Sequence, residues 1–152
     1  VYGPWGRPDM ALFKFFNWAL KGKAIDIYDY KNQKRDFTYI DDVVVSLLKI
    51  LNNPPKKNKN NKLSPDKSTA PFRILNVGAG KPIFLKNFIK FIENNLGFKI
   101  KKNFLLNQKG EIQKTFADMN SNTLRVNSNK RTNLNNGIEK FKNWYFNNYK
   151  IY

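Results

Sequence analysis

The chain contains neither cysteine nor histidine. Without cysteine no disulfide framework holds it together, and without either residue the usual ligands of zinc and copper are missing. The same two absences exclude a Cys-His or Ser-His nucleophile drawn from this chain alone. Acidic residues are scarce, 11 against 28 Lys and Arg, leaving a formal net charge of +17. No apolar run is long enough to span a bilayer, and the opening residues lack the charged, apolar, then small-residue order of a secretory leader. The expectation is a soluble, cytoplasmic protein.

What the chain does have is 152 residues, 41% of them hydrophobic and 15% aromatic, which suits one modest globular domain. The positive charge invites a nucleic-acid reading, because clustered Lys and Arg neutralise phosphates. Here lysine is scattered along every segment beside abundant asparagine, and the one true cluster, Lys56-Lys57-Asn58-Lys59, falls in a stretch expected to be unstructured. Nucleic acid is therefore an unlikely partner, and an anionic small molecule is favoured.

The stretch Lys34-Arg35-Asp36-Phe37-Thr38-Tyr39-Ile40-Asp41-Asp42 organises the reading. Its alternation predicts a strand with Phe37 and Tyr39 on one face, Thr38 and Ile40 on the other, and Arg35 at its entry. Asp41 and Asp42 stand where a cap and a first-turn carboxylate belong, ahead of the helical run 43–51. An arginine at the edge of a rigid strand-to-helix unit presents a fixed fork of donors, suited to a phosphate or carboxylate. The alternative is an internal pair with Asp36 or Asp41.

Earlier in the chain, Gly3, Pro4 and Gly6 mark a loop, Pro8 opens a helix over 9–20, and Gly22 closes it. The first N–H groups of that helix, near Met10 and Ala11, favour an anion with Arg7 one turn away. The plain reading of Arg7 is a solvated loop residue. Strands are predicted over 24–28, 72–77 and, at a sheet edge, 99–106. Helices are predicted over 85–96, with Leu85, Phe88, Ile89, Ile92 and Leu96 inward and Gly97 as terminator, over 122–126, and over 136–149 with Ile138, Phe141, Trp144, Tyr145 and Tyr149 on one face. The segment 52–71, rich in Asn, Lys and Pro, reads as a disordered insertion.

Two motifs are set aside. The Tyr-x-x-x-Lys spacing at Tyr30 and Lys34 lies in a segment without helical periodicity, so the ammonium has no reason to face the phenol. Gly78-Ala79-Gly80-Lys81-Pro82 superficially matches a phosphate loop, but Leu75 stands where its first glycine belongs and Pro82 where its Ser or Thr does.

Taken together, Val1-Tyr2-Gly3-Pro4-Trp5-Gly6-Arg7-Pro8-Asp9-Met10-Ala11, the 34–42 stretch and Asn143-Trp144-Tyr145 resemble the C-terminal part of NAD-dependent nucleotide-sugar epimerases of the extended short-chain dehydrogenase family, UDP-glucuronate 4-epimerase type. The resemblance covers nearly the whole chain except 52–71. It implies an α/β fold, the C-terminal substrate-binding portion of an extended short-chain dehydrogenase, with mixed short strands and helices and the Rossmann half missing. It further implies a single nucleotide-sugar-binding domain over 1–152.

In such enzymes the glycine-rich NAD turn, the catalytic Tyr-x-x-x-Lys helix and its Ser or Thr lie upstream of the position of Val1, so no catalytic residue is expected here. NAD is implied as a cofactor bound mainly by that N-terminal half, which is itself an expected partner, alongside a UDP-sugar substrate and a homodimer of the full-length enzyme. Carried over, Arg35 is the main diphosphate cation, and Arg7 meets the diphosphate or the sugar carboxylate. Met10 and Ala11 offer backbone groups to a phosphate, Asp26 backbone and the Tyr28 ring hold the uracil, and Gln108 makes a second diphosphate contact. Lys109 and Glu111 depart from the family pattern of proline and aspartate around that glutamine. The alternatives left open are a fragment of a UDP-glucuronate decarboxylase or sugar-nucleotide dehydratase, and a stand-alone basic binding module.

Overall fold

The computed structural model describes residues 1–30, 32–57, 65–66, 68–106, 110, 112–119 and 131–149. Eight elements follow in order: α1 (Ala11–Leu20), β1 (Ile25–Tyr28), β2 (Lys34–Arg35), α2 (Ile40–Leu51), β3 (Ile83–Phe84), α3 (Leu85–Leu96), β4 (Lys102–Leu105) and α4 (Leu134–Asn148). This is an α/β arrangement with short strands and four helices among the described residues.

β1 and β4 pair in parallel, Ile25 opposite Lys102 and Tyr28 opposite Leu105, so the expected edge strand is real but shorter than 99–106. β2 and β3 pair antiparallel over two residues each. The 34–42 stretch is therefore not one continuous strand. After Arg35 the chain leaves the ladder, and it regains a parallel neighbour only at Tyr39, opposite Tyr2, where Tyr2 N–H donates to Thr38 O at 2.9 Å and Ile40 N–H to Tyr2 O at 2.9 Å. Over 72–77 the described residues form no named strand, only a single bridge position at Arg73, and Ile74 N–H donates to Asp66 O at 2.9 Å. Within 52–71 the described residues make local contacts of this kind, such as Ala70 N–H to Ser68 Oγ at 3.1 Å. The predicted helix at 122–126 lies outside the described residues.

Helices α1, α3 and α4 follow their periodicity. α1 buries Leu12, Phe13, Phe15, Phe16 and Ala19, α3 buries Leu85, Phe88, Ile89 and Ile92, and α4 buries Leu134, Ile138, Phe141 and Tyr145. Phe13 meets Phe141, Tyr145 and Tyr149 edge-on, and Phe16 meets Phe141, so α1 and α4 share one aromatic layer. Gly97 ends α3 in the left-handed region at φ 80°, its N–H returning to Glu93 O.

Among the described residues Glu93 is the one charged side chain in the buried polar set. Burial works to raise its carboxyl, but hydrogen bonds from Lys102 Nζ and from Ile100 N–H at 3.0 Å, with the charges of Lys102 and Lys99, outweigh it and hold the group below the ordinary carboxylate value. A carboxyl depressed in the folded state stabilises the fold above its unfolded value of about 4.3 and loses that contribution as pH falls through the folded value. Glu93→Gln is expected to cost about 2 kcal/mol in urea unfolding at pH 7, because Lys102 is left half-satisfied in a partly buried site. The difference from the parent chain should close as pH falls through the depressed folded value of Glu93, where both carry a neutral side chain at this position. An equal difference at neutral pH and below that value would contradict the pairing.

Candidate functional site

A cavity of about 300 Å³ opens between the loop leading into α1 and the β2 edge, and both Arg7 and Arg35 line it. Its floor is aromatic, from Phe13, Phe37, Phe88 and Phe141, and Met10, Ala11 and Thr115 close its sides. Phe37 stacks flat on Phe88, centroids 4.1 Å apart at 12°, which ties the 34–42 stretch to α3.

Arg35 is held from below. Its Nη1 donates to Lys34 O at 3.0 Å and Gln113 O at 3.2 Å, fixing the plane of the guanidinium at the end of β2. Among the described residues no carboxylate pairs with it. A guanidinium has five N–H donors, so two carbonyls on one nitrogen leave the fork open to an acceptor in the cavity.

Asp36, the alternative partner, is occupied elsewhere. Its carboxylate accepts the N–H groups of Gly80 at 2.9 Å, Lys81 at 3.3 Å and Ala117 at 3.1 Å, while Thr38 Oγ1 accepts from Ala79 N–H at 3.1 Å. The donors of the glycine-rich loop are thus taken up by the protein itself, which agrees with setting that loop aside as a phosphate binder. Asp42 similarly accepts both N–H and Oγ1 of Thr132 at 2.9 Å. The acidic and hydroxyl residues of the stretch hold three neighbouring loops, and its arginine is what remains for a ligand.

Arg7 is differently placed. It is exposed, and Asp9 closes its fork, Nε to Oδ1 at 3.0 Å and Nη2 to Oδ2 at 2.5 Å. That hydrogen bond, then the charge of Asp9, raises the guanidinium further above its ordinary value, and the same bond holds Asp9 below the usual carboxylate range. The loop carrying it is tight: Trp5 sits at φ 61°, unusual for a bulky side chain, and its exposed ring lies 5.3 Å from Trp144. α1 begins at Ala11 with Met10 as its cap residue and no side chain satisfying the first N–H groups, and no acidic residue stands in the first turn. Met10 to Phe13, the uncapped first turn with its orphan donors and positive helix end, line the cavity.

Tyr2 also lines the cavity, but burial, then the Asp42 charge, pushes its phenol far above the ordinary range. It stays protonated near neutrality and serves packing. Asp26 and Tyr28 are half-buried on β1, on the face opposite the buried Ile25 and Ile27, and are not part of the cavity lining. Asp26 Oδ1 accepts from Asn103 Nδ2 at 2.9 Å. Gln108 lies outside the described residues. Four expected residues, Arg7, Met10, Ala11 and Arg35, thus come to one cavity, and two do not. Thr115 was not foreseen; its Oγ1 accepts from Asp36 N–H at 3.1 Å, a contact across 79 residues that no local pattern announces. Among the described residues no cluster of acidic side chains could hold a metal, and no helix is long and apolar enough to cross a membrane.

Comparisons with known proteins point one way. Residues 1–64 match the model of the NAD dependent epimerase/dehydratase family. The chain is 39% identical over 153 residues to Protein CapI of Staphylococcus aureus, covering 99% of this chain and 46% of that protein. It is 39% identical over 156 residues to a probable UDP-glucuronate 4-epimerase of Rhizobium meliloti, covering 99% and 45%. The fold superposes on UDP-glucuronic acid 4-epimerase of Bacillus cereus, solved with UDP-glucuronic acid and NAD, with a TM-score of 0.75 and 28% identity over 97% of this chain and 43% of that one. The chain spans somewhat under half the length of the relatives it matches. By sequence and by fold the chain is similar to the C-terminal part of these epimerases, and its first 64 residues match the NAD dependent epimerase/dehydratase family model.

Proposed function

We propose that this chain is the UDP-sugar-binding C-terminal part of a nucleotide-sugar 4-epimerase that interconverts UDP-glucuronate and UDP-galacturonate. The observation that carries the proposal is the shared cavity of Arg7 and Arg35. Two guanidinium groups over an aromatic floor, beside an uncapped helix start, make a site for a diphosphate with an apolar neighbour. Relatives named for UDP-glucuronate, and a solved neighbour bound to UDP-glucuronic acid, supply the chemical class.

The division of labour suits a 4-epimerase. NAD, bound by the N-terminal half, supplies reversible acceptance of the C4 hydride. The sugar must turn over between the two transfers, so the grip belongs on the nucleotide. Arg35, held by two carbonyls, fixes the diphosphate; the α1 start and Arg7 hold its second side or the sugar carboxylate; β1, with Asp26 backbone and the Tyr28 ring, receives the uracil, and Gln108 adds a further diphosphate contact. Catalytic groups lie in the other half, and the whole enzyme works as a cytoplasmic homodimer.

Arg7 gives a test with a sign. If it meets the ligand, Asp9 competes for its fork, so Asp9→Asn should tighten UDP-glucuronate binding about 3-fold while Arg7→Ala weakens it about 5-fold. Calorimetry with both variants decides; a solvated loop arginine predicts no change in either. Reconstitution with a relative's N-terminal half then identifies the reaction. UDP-galacturonate as product supports the epimerase, and release of carbon dioxide supports the decarboxylase instead.

A further inference from the structure

Helix α3 carries Lys86, Lys90 and Glu93 at i, i+4 and i+7, on one face beside the buried Ile89. Opposite that face, the turn after Gly97 brings Lys99 and Lys102 back towards the helix, Lys102 being the first residue of β4. With Asn87 and Tyr30 the four lysines line a hollow of about 450 Å³. It shares no lining residue with the Arg7–Arg35 cavity.

Glu93 ties the two walls together. Its buried carboxylate accepts Ile100 N–H at 3.0 Å and Lys102 Nζ through Oε1, and Lys99 Nζ lies 3.5 Å from Oε2. One acid is thus shared by two lysines and a backbone donor, and most of its acceptor capacity is used. Lys86 and Lys90 have no carboxylate partner among the described residues, and Lys86 Nζ lies 5.0 Å from the centre of the Phe84 ring. Four ammonium groups therefore meet one carboxylate, and three positive charges are left in excess. Like charges four residues apart on a helix repel, so the hollow gains from a counter-charge. Its Asn87 amide and Tyr30 hydroxyl can also donate, which completes a lining suited to an anion.

We propose that the hollow is a second anion site, whose ligand is a chain of three or more phosphate groups, as in tripolyphosphate or a nucleoside triphosphate. An ammonium is a point charge without a fork, so the hollow ranks anions by their charge, whereas the Arg35 cavity ranks them by forked phosphate geometry. UDP is accordingly held at Arg35, and a triphosphate chain at the lysines. Lys102, pinned by Glu93, is the preorganised member, and the exposed Lys86, Lys90 and Lys99 hold the chain from the rim. A nucleic-acid strand fits less well, because these lysines converge on one hollow where a long backbone needs a track. The site does not depend on the sugar reading.

Calorimetry on the whole chain with sodium tripolyphosphate tests this, in about 0.15 M salt, which screens distant charges beyond about 8 Å, and with saturating UDP present. The expected result is one phosphate chain bound per protein, with slowed amide exchange over 86–90 and 99–102. Lys86→Gln combined with Lys90→Gln should weaken binding at least about 10-fold. Lys21→Gln combined with Lys23→Gln removes the same charge outside the hollow and should change it less than about 2-fold. Both pairs are exposed, so neither double substitution reaches the core. ATP bound as tightly as tripolyphosphate assigns the hollow to the chain alone, and tighter ATP adds the Tyr30 ring as a base platform; both support the site. Equal losses in the two double variants, or no tripolyphosphate binding once UDP is present, overturn it. A single-stranded oligonucleotide that displaces tripolyphosphate at a lower phosphate concentration overturns it in favour of nucleic acid.

Discussion

Gly137→Ala is expected to lower the melting temperature by about 10 °C, corresponding to about 3 kcal/mol. The direction is diagnostic, because glycine to alanine inside a helix ordinarily gains up to about 1 kcal/mol. Gly137 lies within α4, and a Cβ built there falls on the Tyr2 hydroxyl and within 2.8 Å of two ring carbons. The ring has nowhere to go. It is buried, faces Tyr39 and Phe37 edge-on at 5.6 and 6.3 Å, and its backbone is pinned to Thr38 and Ile40 on both sides. The strain would pass into the loop that carries Arg7. A variant melting at or above the parent temperature would show that Tyr2 does not lie against α4.

Arg35→Ala should reduce UDP affinity at least about 100-fold, because a preorganised guanidinium makes charge-assisted, forked hydrogen bonds to phosphate that no neighbour replaces. Arg35→Lys keeps the charge without the fork and is expected to lose about 10-fold. Since Arg35 also bonds Lys34 O and Gln113 O, the alanine variant should unfold about 1 kcal/mol more easily. Separate melting curves distinguish that modest cost from the binding defect. Equal UDP affinity in parent and both variants, measured on folded samples, would remove Arg35 from the site.

Much of the fold was legible because helices announce themselves through spacing. α1, α3 and α4 appear within about two residues of their predicted bounds, with the apolar faces inward. Strands were harder. The 34–42 stretch alternates like a strand, yet only Lys34 and Arg35 form a ladder, with a single further bridge at Tyr39, and Asp36 and Thr38 turn their side chains to the N–H groups of the 79–81 loop. α2 begins at Ile40 with Tyr39 as its cap residue, so the expected cap Asp41 falls inside the first turn beside Asp42, which stands there as expected and also binds Thr132. These are contacts across 40 to 90 residues, invisible to a local pattern. The cavity was legible in part: Arg7 and the α1 start are adjacent in sequence, whereas the approach of Arg35 and Thr115 depends on β2 and on long-range pairing. That α2 turns Val44, Leu47, Leu48 and Leu51 outward could not be read at all, because an amphipathic pattern does not say which face meets the fold.

The most direct test of the central claim is amide hydrogen exchange on the whole chain with and without saturating UDP. The account predicts slowed exchange over 7–13 and 34–37, where Arg7, the α1 start and Arg35 border the cavity. It predicts no change at the lysine-lined hollow formed by Lys86, Lys90, Lys99 and Lys102. Protection confined to that second hollow, with 7–13 and 34–37 unaffected, would contradict it.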